Sequence, residues 1–286
     1  MPKTVHTTVF KAAQGGGNPC PVTLDADSLT TEQMLQFAQE TGEECAFVLS
    51  PTERGCDFCV RYFLPTHELS MCMHATIAAA TVIVKSKLVN SSPIYFQSER
   101  GRVRIDWEKQ GKAISVVVEQ FAPEFIEEVP SRAEISEVLD VSESDIAPHP
   151  IINASTSRFK LMVPIINRKI LDSLKPKWER LWNLCDACKT TGIYVFTIEE
   201  NEDRKFFTRQ FPNRGGYNED PATGVAASAL CAYVLKYGIL QAHEGWNSIN
   251  VFQGFAIGRP SVIRADTRFE NGEIVQTRVG GTAEIA

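Results

Sequence analysis

An internal repeat constrains this 286-residue chain more than any other feature. Residues 58–65 read FCVRYFLP and residues 206–212 read FFTRQFP, so Arg61 and Phe63 recur as Arg209 and Phe211, each 148 residues later. Upstream, Phe47-Val48 recurs as Tyr194-Val195 at a spacing of 147. Downstream of each Phe-Pro element come a loop and a run of small residues, CMHATIAAATVIV from Cys72 and PATGVAASALCAYVL from Pro221. Later still, Phe96-Gln97 recurs as Phe252-Gln253, and Gly101-Arg102-Val103 resembles Gly258-Arg259-Pro260. The spacing has by then drifted to 156–157, which requires a small insertion in the second half. Similar segments in one order, at slowly drifting spacing, indicate a duplicated domain.

The pattern within each half predicts its elements. Residues 57–64 alternate with strand periodicity. Residues 73–87 and 223–236 are Ala-rich, lack an interior Pro and carry almost no polar surface, which predicts two buried helices, the second stopping at Gly238. Strand-like runs follow each helix: 94–97, 103–107 and 114–119, then 249–253, 261–266 and 274–279. Turns at residues 108–111 and at Asn271-Gly272 predict hairpins. Each half is therefore expected to be an antiparallel barrel-like sheet wrapped around one central apolar helix. The fold class is α+β with two pseudo-symmetric domains, residues 1–121 and 122–286, and the last strand may pair with the first domain. Residues 122–150 read as a linker with a short amphipathic helix over 132–139.

Composition narrows the function classes. Hydrophobic residues at 43% and charged residues at 22% exclude a disordered, collagenous or coiled-coil chain. A net charge of −6 without a basic run argues against a nucleic-acid partner. The apolar stretch 69–84 contains His74 and falls short of the ~20 residues that span a bilayer, so no membrane partner is expected. The opening MPKTVHTTVFKAAQGGG has no apolar core of a secretory signal. A cytoplasmic location and eight reduced thiols are the corresponding expectations.

The chemistry-bearing residues gather at the starts of the two apolar helices. Cys72-Met73-His74 opens the first, and Asp220-Pro221 precedes Thr223-Gly224 at the second. Helix N-termini offer free N–H groups and a positive dipole end, so two that converge would receive a carboxylate. The plainer readings are that Asp220 caps a helix and that His74 is a core histidine. Gly15-Gly16-Gly17-Asn18-Pro19 could be a backbone nest or a flexible turn, and it lacks P-loop spacing. Glu43-Glu44 precedes the apolar run Ala46–Leu49; such a pair is usually a solvated strand end, but a carboxylate against an apolar wall can act as a general base. At a spacing of 147 the partner of Glu44 is Thr191, so any such base is present once. Cys56-x-x-Cys59 and Cys185-x-x-Cys188 have metal-like spacing but do not fall at the repeat spacing, and buried thiols are the default.

These residues resemble the PhzF-like (phenazine-biosynthesis-like) isomerases, which share the diaminopimelate-epimerase fold. The resemblance spans essentially the whole chain through GGNP (16–19), ECAFVL (44–49), RYFLPTHELSMCMHAT (61–76), EDPATG (219–224), QGFAIGRPS (253–261) and VGGTAEI (279–285). It implies a cleft between the halves, Glu44 as the catalytic glutamate, and His74 and Asp220 beside it. It also implies that Gly17, Asn18, Cys72, Met73, Thr223, Gly224, Val225 and Gln253 surround a small carboxylate-bearing substrate, with no cofactor, no metal and a homodimer. Related racemases use one cysteine per half; here Cys72 holds the first position and Pro221 the second, which disfavours a two-thiol mechanism. Met73 and Val225 replace residues that are usually Gly and Ser in the family, making the pocket bulkier and less polar. The reading is an isomerase or epimerase that moves a proton with one glutamate. The alternatives are a binding protein on the same fold and a cysteine-based racemase or metal protein.

Overall fold

The computed structural model describes residues 2–199 and 202–286. In chain order its strands are β1 (Thr4–Val9), β2 (Asn18–Thr23), β3 (Cys45–Leu49), β4 (Phe58–Phe63), β5 (Glu68–Leu69), β6 (Ile94–Ser98), β7 (Gly101–Gln110) and β8 (Ala113–Gln120) in the first half. The second half has β9 (Glu124–Ile126), β10 (Ile152–Ser155), β11 (Lys160–Pro164), β12 (Gly192–Glu199), β13 (Glu202–Pro212), β14 (Gly245–Gln253), β15 (Ser261–Glu270) and β16 (Glu273–Ile285). The α-helices are α1 (Thr31–Thr41), α2 (Met73–Lys85), α3 (Arg132–Leu139), α4 (Arg168–Ser173), α5 (Trp178–Ala187) and α6 (Gly224–Lys236).

Two apolar helices dictate the architecture. Every residue of α2 from Met73 to Val84 is buried, as is every residue of α6 from Gly224 to Leu235. A helix apolar on all sides must be covered all round, and the sheet does this by curling. Around α2 the order β1-β2-β3-β4-β6-β7-β8-β16 closes on itself, because β16 pairs with both β8 and β1. Around α6 the sheet runs β16-β15-β14-β13-β12-β11-β10-β9. The first barrel is thus completed by the chain's last strand: Ala283, Glu284 and Ile285 face Val9, Thr8 and Thr7. Closure removes exposed sheet edges from that barrel.

The duplication extends to the ladders. β2 pairs with β3 and β11 with β12 in parallel; β4 pairs with β6 and β13 with β14 in parallel. The sheets are therefore mixed where simple alternation led us to expect antiparallel pairing throughout. The cause is the crossovers, since α1, α2, α4-α5 and α6 each carry the chain between parallel neighbours, which a hairpin cannot do. The hairpin turn at Asn271-Gly272 falls where expected, with φ of 54° and 81°, as a two-residue turn matching strand twist requires, whereas the first lies at Gly111-Lys112, because residues 108–110 continue β7.

The helices meet at their N-termini. A Cβ on Gly224 would lie 2.4 Å from the Met73 Cγ, so the absent side chain is what admits Met73. Phe10 is wedged beside this contact, and a Cβ on Gly281 would come 2.4 Å from its ring. That ring is 2% exposed and cannot swing aside. Gly281→Ala is expected to cost about 1–3 kcal/mol by overpacking, read as a lower urea midpoint at unchanged slope.

Candidate active site

The repeat register can be followed to the cleft. Arg61 pairs with Glu68 at 2.6 Å, and its counterpart Arg209 pairs with Glu219 at 2.6 Å. The first pair is 7 residues apart and the second 10, so a three-residue insertion lies in the loop before α6. From there to the ends of the helices the spacing is 151, setting Cys72-Met73-His74 against Thr223-Gly224-Val225 and not against Pro221-Ala222-Thr223. The ladders likewise pair Ala46 with Tyr62 and Tyr194 with Gln210, which sets Glu44 against Gly192 in place of Thr191. On either register the second half supplies no carboxylate opposite Glu44 and no thiol opposite Cys72.

Both helix N-termini open on one cleft of ≈ 430 Å³ between the halves. Glu44, immediately before β3, reaches it from the first barrel. Its Oε1 accepts a 2.7 Å hydrogen bond from the Tyr217 hydroxyl, and its Oε2 accepts one from the Cys72 thiol at 3.0 Å. His74 Nδ1 lies 3.3 Å from the same sulfur and 3.9 Å from Glu44 Oε2. Asp220 approaches from the second half; its Oδ2 accepts from the Thr223 hydroxyl at 2.5 Å and its Oδ1 from Asn18 Nδ2 at 3.0 Å and Ala222 N at 3.3 Å.

The two carboxyls are pushed in opposite directions. Burial raises the Glu44 pKa, but the neighbouring His74, the hydrogen bonds from Cys72 and Tyr217, and the Arg158 guanidinium outweigh it and hold the group below its ordinary value. Burial followed by the Glu44 charge lifts Asp220 above its own, against His74 and Thr223. Burial and the adjacent Glu44 also push the Cys72 thiol well up, so it stays protonated and donates.

Of the residues singled out from sequence, Glu44, Cys72, Met73, His74, Asp220, Thr223, Gly224 and Val225 line this cleft. Gly17, Asn18 and Gln253 do not, and their expected ligand contacts require correction. The glycine turn is folded against its own chain: Gly17 N donates to Pro260 O, and a Cβ on Gly16 would sit 2.0 Å from that oxygen. Asn18 and the fully buried Gln253 hold the Asp220 turn from behind, Gln253 donating to Asp220 O at 2.7 Å and accepting from Thr223 N at 3.2 Å. Met73 and Val225 border the cleft without filling it.

Sequence reasoning missed Tyr217, Arg158, Lys160 and Gln210, all of which line the cleft. Tyr217 sits in the three-residue insertion, which carries its hydroxyl across to the first half; the register drift was the available signal. Glu44, Cys72 and His74 present ligand atoms within 4.8 Å of one another. Their oxygen, protonated sulfur and nitrogen are already engaged with one another, an arrangement suited to proton handling more than to a resident ion. The two CxxC pairs are free thiols away from the cleft.

Two helix-filled curled sheets, the first closed into a barrel, with a cleft between them form a diaminopimelate-epimerase-like architecture. The chain matches the family described as "Phenazine biosynthesis-like protein" over residues 7–286, and it belongs to that family. An uncharacterized isomerase of Clostridium acetobutylicum is 31% identical over 274 residues, covering 94% of this chain and 91% of that protein. The trans-2,3-dihydro-3-hydroxyanthranilate isomerase of Pseudomonas fluorescens is 28% identical over 283 residues, covering 98% and 96%. The crystal structure of a PhzF-family phenazine biosynthesis protein from Bacillus anthracis aligns with a TM-score of 0.88 at 25% identity, covering 99% of this chain and 97% of that one. The chain is an isomerase. Among the described residues no helix is long and apolar enough to cross a membrane.

Tyr217→Phe removes a donor that favours ionised Glu44. The Glu44 pKa is therefore expected to rise in the variant, by about one unit or less for one hydrogen bond, when side-chain carboxyl carbons are titrated by NMR.

Proposed function

We propose that the protein moves a proton on a small cyclic, carboxylate-bearing substrate with Glu44 as the single acid–base group and without a cofactor. The observation that carries this reading is the Glu44 carboxyl group, fixed at both oxygens by Tyr217 and Cys72 on the wall of an inter-domain cleft. A base must be unprotonated to begin and correctly aimed to act; the depressed pKa supplies the first condition and the two hydrogen bonds the second. Glu44 takes a proton from a carbon made acidic by its neighbours, and the electron pair delocalises into the substrate. The first-turn N–H groups of α2 and α6 stabilise the developing charge. Glu44 then returns the proton to another carbon, or to the other face of the same one.

Asp220 complements this: burial and the neighbouring Glu44 charge raise its pKa, while that of Glu44 is lowered. Its turn is fastened by Thr223, Asn18 and Gln253, so it positions substrate rigidly. His74 stands beside the carboxylate, with its Nε2 unpartnered among the described residues. The Pseudomonas fluorescens relative is named for an isomerisation of a cyclic amino acid. That name supports the substrate class here without fixing the substrate.

In deuterated water, Glu44→Gln is expected to slow solvent-hydrogen incorporation into a turned-over cyclic amino acid by ~10²-fold or more, the scale of losing a general base. Cys72→Ser keeps a donor to Glu44 and should retain activity within about tenfold, whereas a thiol mechanism would lose it. Equal exchange by Glu44→Gln and wild type would remove Glu44 from the chemistry.

A further inference from the structure

The second-half wall of the cleft carries polar side chains that proton transfer does not use. Arg158 lies just before β11, Lys160 begins it, and Gln210 faces the same space from β13. Lys160 is 4% exposed, and its ammonium makes one hydrogen bond among the described residues, to Thr191 O at 3.2 Å. An ammonium has three donors, so two remain. Gln210 is 1% exposed, and neither atom of its amide has a partner among the described residues; the same holds for Arg158 Nε. A buried carboxamide with nothing to bond is costly, so a group that enters the cleft is its natural partner.

The repeat explains why Gln210 can stand there. Gly192 occupies the position that corresponds to Glu44, and a Cβ on it would lie 2.4 Å from Gln210 Nε2. The second half thus has no side chain where the first has its base, and the carboxamide takes the vacated volume. The first half contributes Glu44 to the cleft; the second contributes Asp220 together with an ammonium, a guanidinium and an amide.

We propose that Lys160, Arg158 and Gln210 form a carboxylate-recognition site on this wall, with Lys160 selecting substrates that carry a free carboxylate. This rests on the cleft being the substrate site and names the side chains that meet the anion. A carboxylate docked there turns the rest of a small ring toward Glu44. Its single charge also offsets one of the two cations that share this wall.

The environment of Lys160 makes the selection pH-dependent. Burial, and then Arg158, push its pKa down to about 7, against Asp220, Cys185 and Glu44, which act the other way. The ammonium is complete below that value and lost above it, so carboxylate preference is full in mild acid and fades as pH rises. A bound carboxylate favours the ammonium, so binding above neutrality takes up a proton.

The probes are 2-aminobenzoate and its neutral isostere 2-aminobenzamide, titrated calorimetrically into the full-length protein at about pH 6 and about pH 8.5. Wild type is expected to bind the acid at least ~10-fold more tightly than the amide at the lower pH, with the preference falling several-fold at the higher one. Lys160→Met should abolish the preference at both. Lys160→Arg should keep it and make it flat with pH, because a guanidinium does not titrate in this range; this arm is decisive should the Met variant not fold. Equal affinity of wild type for the two probes, or a tenfold preference surviving in Lys160→Met, overturns the proposal. Proton exchange that depends on Glu44 but ignores Lys160 would remove only the anion site and leave the assignment of the base intact.

Discussion

The contact between Met73 and Gly224, where two wholly buried helices touch at their N-termini, sets the shape of everything functional in this molecule. A helix with no polar face cannot stand at a surface, so each is enclosed by a curled sheet. Two such units can bring their helix ends together only if the side chains between them are small or absent. Gly224 and Gly281 provide that, with Phe10 filling the remaining space. The cleft is what is left above this seam. Free N–H groups are there because helix ends are there, and Glu44, just before β3, and Asp220, in the turn before α6, reach it from opposite halves.

Duplication supplies symmetry, and function requires that it be broken. The paired Arg61–Glu68 and Arg209–Glu219 bridges, the equal helices and the matching parallel ladders are the preserved part. The changed part lies within the cleft. Glu44 stands where the other half has Gly192 and a thiol where it has Thr223, and a loop three residues longer brings Tyr217 across the boundary. The two carboxyls therefore sit in unlike surroundings, which lower the pKa of one and raise that of the other. Environment, more than residue type, assigns their roles.

Much of this was legible in the sequence, for reasons that can be named. Buried helices write themselves as Ala- and Val-rich runs, and a duplicated fold writes itself as repeated Arg-x-Phe and Phe-Gln pairs. Glu44, His74 and Asp220 stand out because each lies at the start of, or just before, an apolar run. Gly17, Asn18 and Gln253 look equally special, yet they serve backbone packing and the Asp220 turn; close approach of two chains and close approach of a ligand demand the same residues. Tyr217, Arg158, Lys160 and Gln210 were hidden for the opposite reason. Each lies in an ordinary loop or strand; the curl of the sheet brings Arg158, Lys160 and Gln210 to the cleft, and the lengthened loop before α6 brings Tyr217. The parallel ladders escaped alternation because periodicity reports which face is buried and is silent on strand direction.

The central claim is that a single carboxylate both removes and returns the proton. The most direct measurement follows a deuterium placed on the carbon that loses hydrogen in trans-2,3-dihydro-3-hydroxyanthranilate, the substrate named for the Pseudomonas fluorescens relative, through one turnover in ordinary water. If Glu44 alone carries the proton inside a cleft closed to rapid exchange, part of the label reappears on the product at its new position. Turnover by Glu44→Gln with the label still carried to the new position would mean that another group moves the proton and would contradict the one-base account.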